Sequence, residues 1–297
     1  MNKLVFDVGG TFIKYATMDM EGNILTHGEE KTPLESKEAF LETIIGIYNQ
    51  HKDEVDGLAF SMPGSIDTDN GHIYTPGALT YNYDSDFFDF IHSRIDLPVS
   101  IENDGKCAAL AEVWKGNLQD CQNGAVMVLG TGIGGGLVVN RQLLKGTHFF
   151  AGELSFVLEN PMQPGMDSVF AMNGSATALC MKAARNMGVP FETLDGKKVF
   201  QAIKEGNQEA LSALEEIAQH IAVQIFNTQC FIDPEVVCIG GGISRQELLH
   251  EKIKEKLDAL YGGFPFPIPQ VELRKCKYFN ESNLVGALYN YKLHFGG

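Results

Sequence analysis

The chain has 297 residues, enough for two hydrophobic cores, and its 44% hydrophobic and 21% charged composition is that of ordinary globular domains. A formal net charge of −15 argues against the basic face that nucleic acid requires, so no nucleic-acid partner is expected. The start Met1-Asn2-Lys3-Leu4-Val5-Phe6-Asp7 is too short an apolar run for a signal peptide and no stretch approaches a membrane span, so a cytoplasmic location without membrane contact is expected.

Leu4-Val5-Phe6 reads as a short strand running into Asp7-Val8-Gly9-Gly10-Thr11. A second strand from Phe12 to Met18 and the turn Glu21-Gly22-Asn23 follow. Phe40, Leu41, Ile44, Ile45 and Tyr48 recur at helical spacing and predict a helix from Lys37 to His51. Around Val99 to Ala109 a strand ends at Asn103-Asp104 and an alanine-rich helix begins. The opening pattern then returns: strand Ala125 to Leu129, glycine run Gly130-Thr131-Gly132-Ile133-Gly134-Gly135-Gly136, strand Leu137-Val138-Val139, turn Asn140-Arg141-Gln142. Two copies of strand, glycine turn, strand suggest two related halves. Leu211, Leu214, Ile217, Ala218, Ile221, Ile225 and Phe226 mark a long amphipathic helix that stops before Asp233-Pro234. The strand Val236 to Ile239 meets Gly240-Gly241-Gly242, a helix follows from about Ser244, and Ser282 to Leu293 reads as a terminal helix. Strands and helices alternate throughout, so the class is α/β.

The six cysteines are scattered without a C-x-x-C pair, and buried free thiols are expected. The eight histidines show no H-x-x-x-H spacing, so no helical metal pair is predicted.

A phosphate needs several N–H donors at short range, and glycine lets the backbone supply them. Both glycine turns have that composition, and a plain hairpin turn is the alternative for the first. Asp7 adds a carboxylate that could hold Mg²⁺, directly or through water, against the β- and γ-phosphates of ATP. Lys14, just past this turn, is expected as a solvated strand lysine. Gly130, Gly132 and Gly135 also match G-x-G-x-x-G, but a dinucleotide turn needs a helix directly afterwards, and here a strand pattern follows. Asp104 either caps its helix or accepts the proton of an attacking hydroxyl. Asn103 beside it could bridge two sugar hydroxyls.

Together these motifs resemble the ROK family (repressors, open reading frames and sugar kinases) of the actin/hexokinase/Hsp70 fold. The likeness runs from Asp7 to Thr11 through Met62-Pro63-Gly64-Ser65-Ile66-Asp67, Glu102-Asn103-Asp104, Gly130 to Gly136 and Ala151-Gly152-Glu153-Leu154 to Gly240-Gly241-Gly242. It implies two ribonuclease-H-like domains with an interdomain cleft. One would hold residues 1–116 plus the C-terminal helix at about 282–297; the other, residues 117–281, would hold the second phosphate loop, the adenosine and the dimer contact. It implies Asp104 as catalytic base and Asn103 and Glu153 as binders of sugar hydroxyls. Gly9, Gly10, Thr11, Gly130, Thr131 and Gly132 would cradle the phosphates, with Gly241 and Gly242 near the adenosine. The cofactors would be ATP and Mg²⁺, the partner a small sugar or glucoside, the assembly a homodimer.

The departures from the family narrow the acceptor. Family members usually read G-E-L-G-H here, with a zinc-binding histidine followed by a cysteine-rich loop. This chain has Gly152-Glu153-Leu154-Ser155-Phe156 and then no cysteine before Cys180, so no structural zinc is expected. The zinc-free pattern is similar to the β-glucoside kinase branch. The 6-hydroxyl of a glucosyl unit, in cellobiose or a similar glucoside, is the expected acceptor, with Phe156 and Phe170 facing the aglycone. Glucokinase, fructokinase or N-acetylmannosamine kinase activity are the alternatives within the family. From another class comes a catalytically silent sugar sensor, or a ROK regulator without its DNA-binding domain; with the first loop at Asp7, such a domain is not expected ahead of it.

Overall fold

The computed structural model, which describes residues 1–296, turns the first glycine motif into a hairpin. Strand β1 (Asn2–Val8) pairs antiparallel with β2 (Phe12–Met18), setting Asp7 opposite Lys14. β3 (Ile24–Lys31) adds to the outer side of β2. Helix α1 (Lys37–His51) is capped by the Ser36 hydroxyl, which accepts the Ala39 N–H at 3.1 Å, and it buries Phe40, Leu41, Ile44 and Ile47. β4 (Val55–Met62) returns parallel to β1. A small antiparallel sheet of β5 (Ser65–Asp67), β6 (His72–Thr75) and β7 (Ser85–Asp86) precedes α2 (Phe87–His92). β8 (Val99–Asn103) then runs parallel to β4 and feeds α3 (Asp104–Lys115). The main sheet has the order β3-β2-β1-β4-β8.

The same plan recurs. β9 (Gly124–Leu129), β10 (Ile133–Val139) and the short β11 (Gln142–Leu143) form a second antiparallel meander. Helices α4 (Phe170–Gly174), α5 (Ala176–Met187), α6 (Gly196–Lys204) and α7 (Gln208–Ile232) follow. β12 (Val236–Gly240) pairs parallel with β9, and after α8 (Glu247–Gly262) β13 (Glu272–Lys275) pairs parallel with β12. The order is β11-β10-β9-β12-β13, which matches the first sheet strand for strand and is the ribonuclease-H-like arrangement. The last helix, α9 (Ser282–Phe295), packs against α3 of the first sheet.

Each sheet has its own core. In the first, Phe6 stacks on Phe60 at 4.6 Å and Phe87 meets Phe60 edge-on at 5.0 Å. In the second, α5 and α7 bury Leu179, Leu214, Ile217 and Ile221 with Val237 and Ile239 of β12.

Three details depart from the sequence reading. The helix expected from Ser244 begins at Glu247, because a 3-10 turn at Gly242–Arg245 comes first. Cys230 is exposed on α7, unlike the five buried thiols, since it sits on the face turned away from the core. The first unit comprises Met1–Lys115, Lys145–Ala151 and the chain from Asn280, so the stretch Lys145–Ala151 leaves the range expected for the second. Among the described residues no helix is long and apolar enough to cross a membrane.

Candidate active site

The first glycine turn closes tightly: the Gly9 N–H donates to Phe12 O at 3.0 Å, and the Thr32 hydroxyl donates to Gly9 O at 2.7 Å. A Cβ at Gly10 would lie 3.0 Å from the Ala78 methyl, so a side chain there needs its neighbour to move. Thr11 is exposed at the tip. Asp7 ends β1 beside this turn. Its Oδ1 accepts from Asn283 Nδ2 at 2.9 Å and from Ser61 Oγ at 3.3 Å. Burial pushes its pKa above the ordinary carboxylate value, against the opposing pull of Asn283, Lys14 and Ser61. Among the described residues no three His, Cys, Asp or Glu side chains converge to hold a metal. A single carboxylate beside a phosphate-sized turn fits Mg²⁺ held mainly by phosphate oxygens and water.

At the junction of β8 and α3 the structure resolves which neighbour caps the helix. Asn103 does: its Oδ1 accepts the Lys106 N–H at 3.1 Å, three residues on. Its Nδ2 donates to Gly64 O at 2.9 Å. One N–H and one lone pair of the amide remain for a ligand. Asp104 occupies the first position of α3, half-buried, with Oδ1 accepting the Gly105 N–H at 2.7 Å.

Sequence reasoning missed the charges behind this pair. Glu102 is 1% exposed; its Oε1 accepts the Asn103 N–H at 2.8 Å and its Oε2 lies 3.5 Å from Lys145 Nζ. Burial raises its pKa, with Lys145 the chief opposing influence. Lys145 also donates to the Thr68 hydroxyl, and the buried Lys106 donates to Phe149 O at 2.7 Å. Two ammonium groups thus fasten the segment Lys145–Ala151 beside Asn103. The run Glu102 to Lys106 shows charges flanking Asn-Asp, but nothing in it says that they are buried.

The second glycine turn is held differently. The Gly130 N–H donates to Gly132 O at 3.0 Å, and Gly130 O accepts the Ala176 N–H at 3.1 Å from the start of α5. Ser155, also missed, accepts the Ile133 N–H at 2.9 Å and donates back to Ile133 O at 3.0 Å. It stands where the family usually has glycine, which was the available signal. β10 follows the turn directly, so the dinucleotide reading fails for want of a helix. Thr131 is exposed at the tip and Glu153 is half-buried just past Gly152. A cavity of about 420 Å³ opens beside the turn, lined by Leu129, Gly130, Ala176, Asp195, Phe200 and Gly242 among others. Gly241 lies behind it at φ 93°, where a Cβ would be 2.2 Å from Leu129 O.

The residues around Phe156 do not fit a zinc ion. Phe156 is half-exposed, and the loop after it is closed by the Leu158–Val169 bridge and by the Glu159 N–H donating to Ser168 O at 2.9 Å. Phe170, expected to face an aglycone, is instead fully buried in the second core, where its ring packs over Gly174.

Residues 4–292 match the ROK family. The β-glucoside kinase of Klebsiella pneumoniae is 27% identical over 293 residues, covering 98% of this chain and 96% of that one. The glucokinase of Halalkalibacterium halodurans is 29% identical over 306 residues, covering 95% and 92%. The crystal structure of a ROK family protein from Streptococcus pneumoniae TIGR4 in complex with sucrose matches with a TM-score of 0.89 at 28% identity, covering 99% of both chains. With its paired ribonuclease-H-like sheets the chain has the actin/hexokinase/Hsp70 ATPase fold, and it belongs to the ROK family.

Proposed function

We propose that the protein is a sugar kinase that moves the γ-phosphoryl group of MgATP to the 6-hydroxyl of a glucosyl unit, with a β-glucoside such as cellobiose as acceptor. The observation that carries this is the junction of β8 and α3: Asn103 caps the helix, which sets the Asp104 carboxylate beside it at the first helical position. In the reaction the sugar oxygen attacks the γ-phosphorus, Asp104 takes the hydroxyl proton, and the bond to the bridging oxygen of ADP breaks. Because this transition state is loose, placing the hydroxyl matters more than basicity. The remaining donor and acceptor of the Asn103 amide bind a sugar hydroxyl, and Glu153 binds another. Gly9, Gly10, Thr11, Gly130, Thr131 and Gly132 present backbone and hydroxyl donors to the phosphates. The cavity at Gly242 takes the adenosine: its wall is largely apolar, with Asp195 as a polar group. Magnesium, when bound with the nucleotide beside Asp7, neutralises charge on the phosphates.

A glucoside is favoured over free glucose by two things: the β-glucoside kinase of Klebsiella pneumoniae matches over nearly the whole chain, and the histidine of the zinc-bearing members is replaced by Phe156. A coupled assay of ATP turnover with cellobiose, phenyl β-D-glucoside, glucose, N-acetylglucosamine, fructose and N-acetylmannosamine tests this. Turnover highest on the two glucosides is the expected result. Turnover on glucose alone removes the glucoside assignment, and none on any sugar removes the kinase.

A further inference from the structure

One exposed feature of the first unit plays no part in the chemistry above. Tyr74, on β6, is 44% exposed, and its ring stacks on that of Phe149 with centroids 6.2 Å apart and planes 20° apart. On its other flank it meets the His72 ring edge-on at 4.7 Å. His72 is itself pinned, through Nδ1 to Asp86 at 2.6 Å and through Nε2 to Asp84 at 3.0 Å. The two aromatic rings are therefore buttressed rather than loose.

Phe149 is held at φ 56°, a left-handed conformation that side chains larger than asparagine rarely adopt. Its carbonyl oxygen is gripped from two sides, by Lys106 Nζ at 2.7 Å and by Ser65 Oγ at 3.4 Å. Those bonds form part of a closed circuit with the proposed sugar site. Lys106 N–H binds the Asn103 amide, and that amide binds Gly64 O at 2.9 Å. Gly64 lies so close to Thr75 that a Cβ would be 1.9 Å from Thr75 O. The Ser65 N–H donates to Thr75 Oγ1 at 2.9 Å, and Ser65 leads back to Phe149. Asn103 stands at the polar end of this circuit and the aromatic pair at the other.

We propose that Tyr74 and Phe149 form a platform for the group attached to the anomeric oxygen of the acceptor, an aryl ring or a second sugar ring. This rests on the kinase reading above. The phosphorylated ring takes the polar end, where its hydroxyls find Asn103 and Asp104. The substituent takes the aromatic end, because an aryl ring or the C–H face of a pyranose gains by lying on an aromatic face. The strained backbone at Phe149 is the means of aiming that ring at Tyr74.

The test compares steady-state kinetics of the wild type, Tyr74→Ala and Phe149→Gly on glucose, cellobiose and phenyl β-D-glucoside. We expect KM for both glucosides to rise about tenfold in each variant, with glucose kinetics changed less than about twofold. Equal changes on all three acceptors, or none, overturn the platform. Should either variant fold poorly, Tyr74→Leu keeps apolar bulk without an aromatic face, and wild-type glucoside KM in that variant overturns it as well. A wild type that phosphorylates glucose but neither glucoside leaves the kinase standing and removes the platform. If the wild type phosphorylates nothing, calorimetry with phenyl β-D-glucoside decides: binding weakened by Tyr74→Ala supports the platform, and absent or unaltered binding overturns it.

Discussion

The two sheets share one strand order and one glycine hairpin, yet they are equipped in opposite ways. The first unit sets ionisable side chains near its strand ends: Asp7 beside the turn, and Glu102, Lys106 and Lys145 around the end of β8, two strands along the sheet. The second turn carries no carboxylate within its own glycine run; a serine hydroxyl, a helix start and a largely apolar cavity with Asp195 and Lys197 on its wall surround it. A duplicated backbone has thus been filled with buried charge on one side and mainly with backbone donors and apolar surface on the other. Charges suit the handling of a proton and a metal-bound phosphate, whereas apolar walls suit a flat base.

If the comparison is right, substitutions in the two units separate by kind as well as by size. The largest effect falls on Asp104→Asn, which should lower kcat by about a thousandfold while calorimetric sugar and ATP binding persist. Next is Lys145→Met, which leaves the Glu102 carboxylate buried without its main counter-charge. A loss of about 3–5 kcal/mol in urea denaturation is expected, much of it recovered by adding Glu102→Gln. The pH dependence has a definite sign. A carboxyl whose folded pKa is raised binds its proton more tightly when folded, so the Lys145→Met protein should gain stability as pH falls and lose it as pH rises through that pKa. A variant whose stability ignores pH would mean that the buried charge is not what Lys145 answers.

Effects in the second unit should be smaller and largely free of pH dependence. Gly241→Ala forces a methyl toward Leu129 O at a positive φ and should cost about 1–3 kcal/mol in thermal melts, with weaker ATP binding. Ser155→Ala removes both bonds to Ile133 and should cost about 1 kcal/mol, raising KM for ATP and leaving KM for the sugar unchanged. A sugar-specific defect in Ser155→Ala would blur the contrast between the halves.

The repeat itself was legible, because strand, glycine turn, strand is a local pattern written twice. Fold class and the positions of both turns followed from it. What sequence could not decide was which of two adjacent residues caps α3, since Asn and Asp are both good caps and only the Asn103–Lys106 bond separates them. Phe170 was misread for a related reason. A phenylalanine next to a substrate-binding stretch looks like a contact, but α4 is a single turn whose inward face is fixed by packing on Gly174. Tyr74 and Phe149 lie far apart in the chain and meet through a hairpin and a returning loop, a juxtaposition that no spacing rule detects.

That returning loop also bears on heredity. Residues Lys145–Ala151 and the chain from Asn280 belong to the first unit although second-unit residues precede both of them in the chain. A peptide ending at Lys115 would keep Glu102 and Lys106 but lose Lys145, the Phe149 carbonyl and α9. In α9, Gly286 approaches α3 so closely that a Cβ would be 1.8 Å from Cys107 O. No single genetic crossover can therefore exchange one half for a homologous half and keep both intact. An exchange that carries over a whole unit must replace three separate stretches of the first unit together.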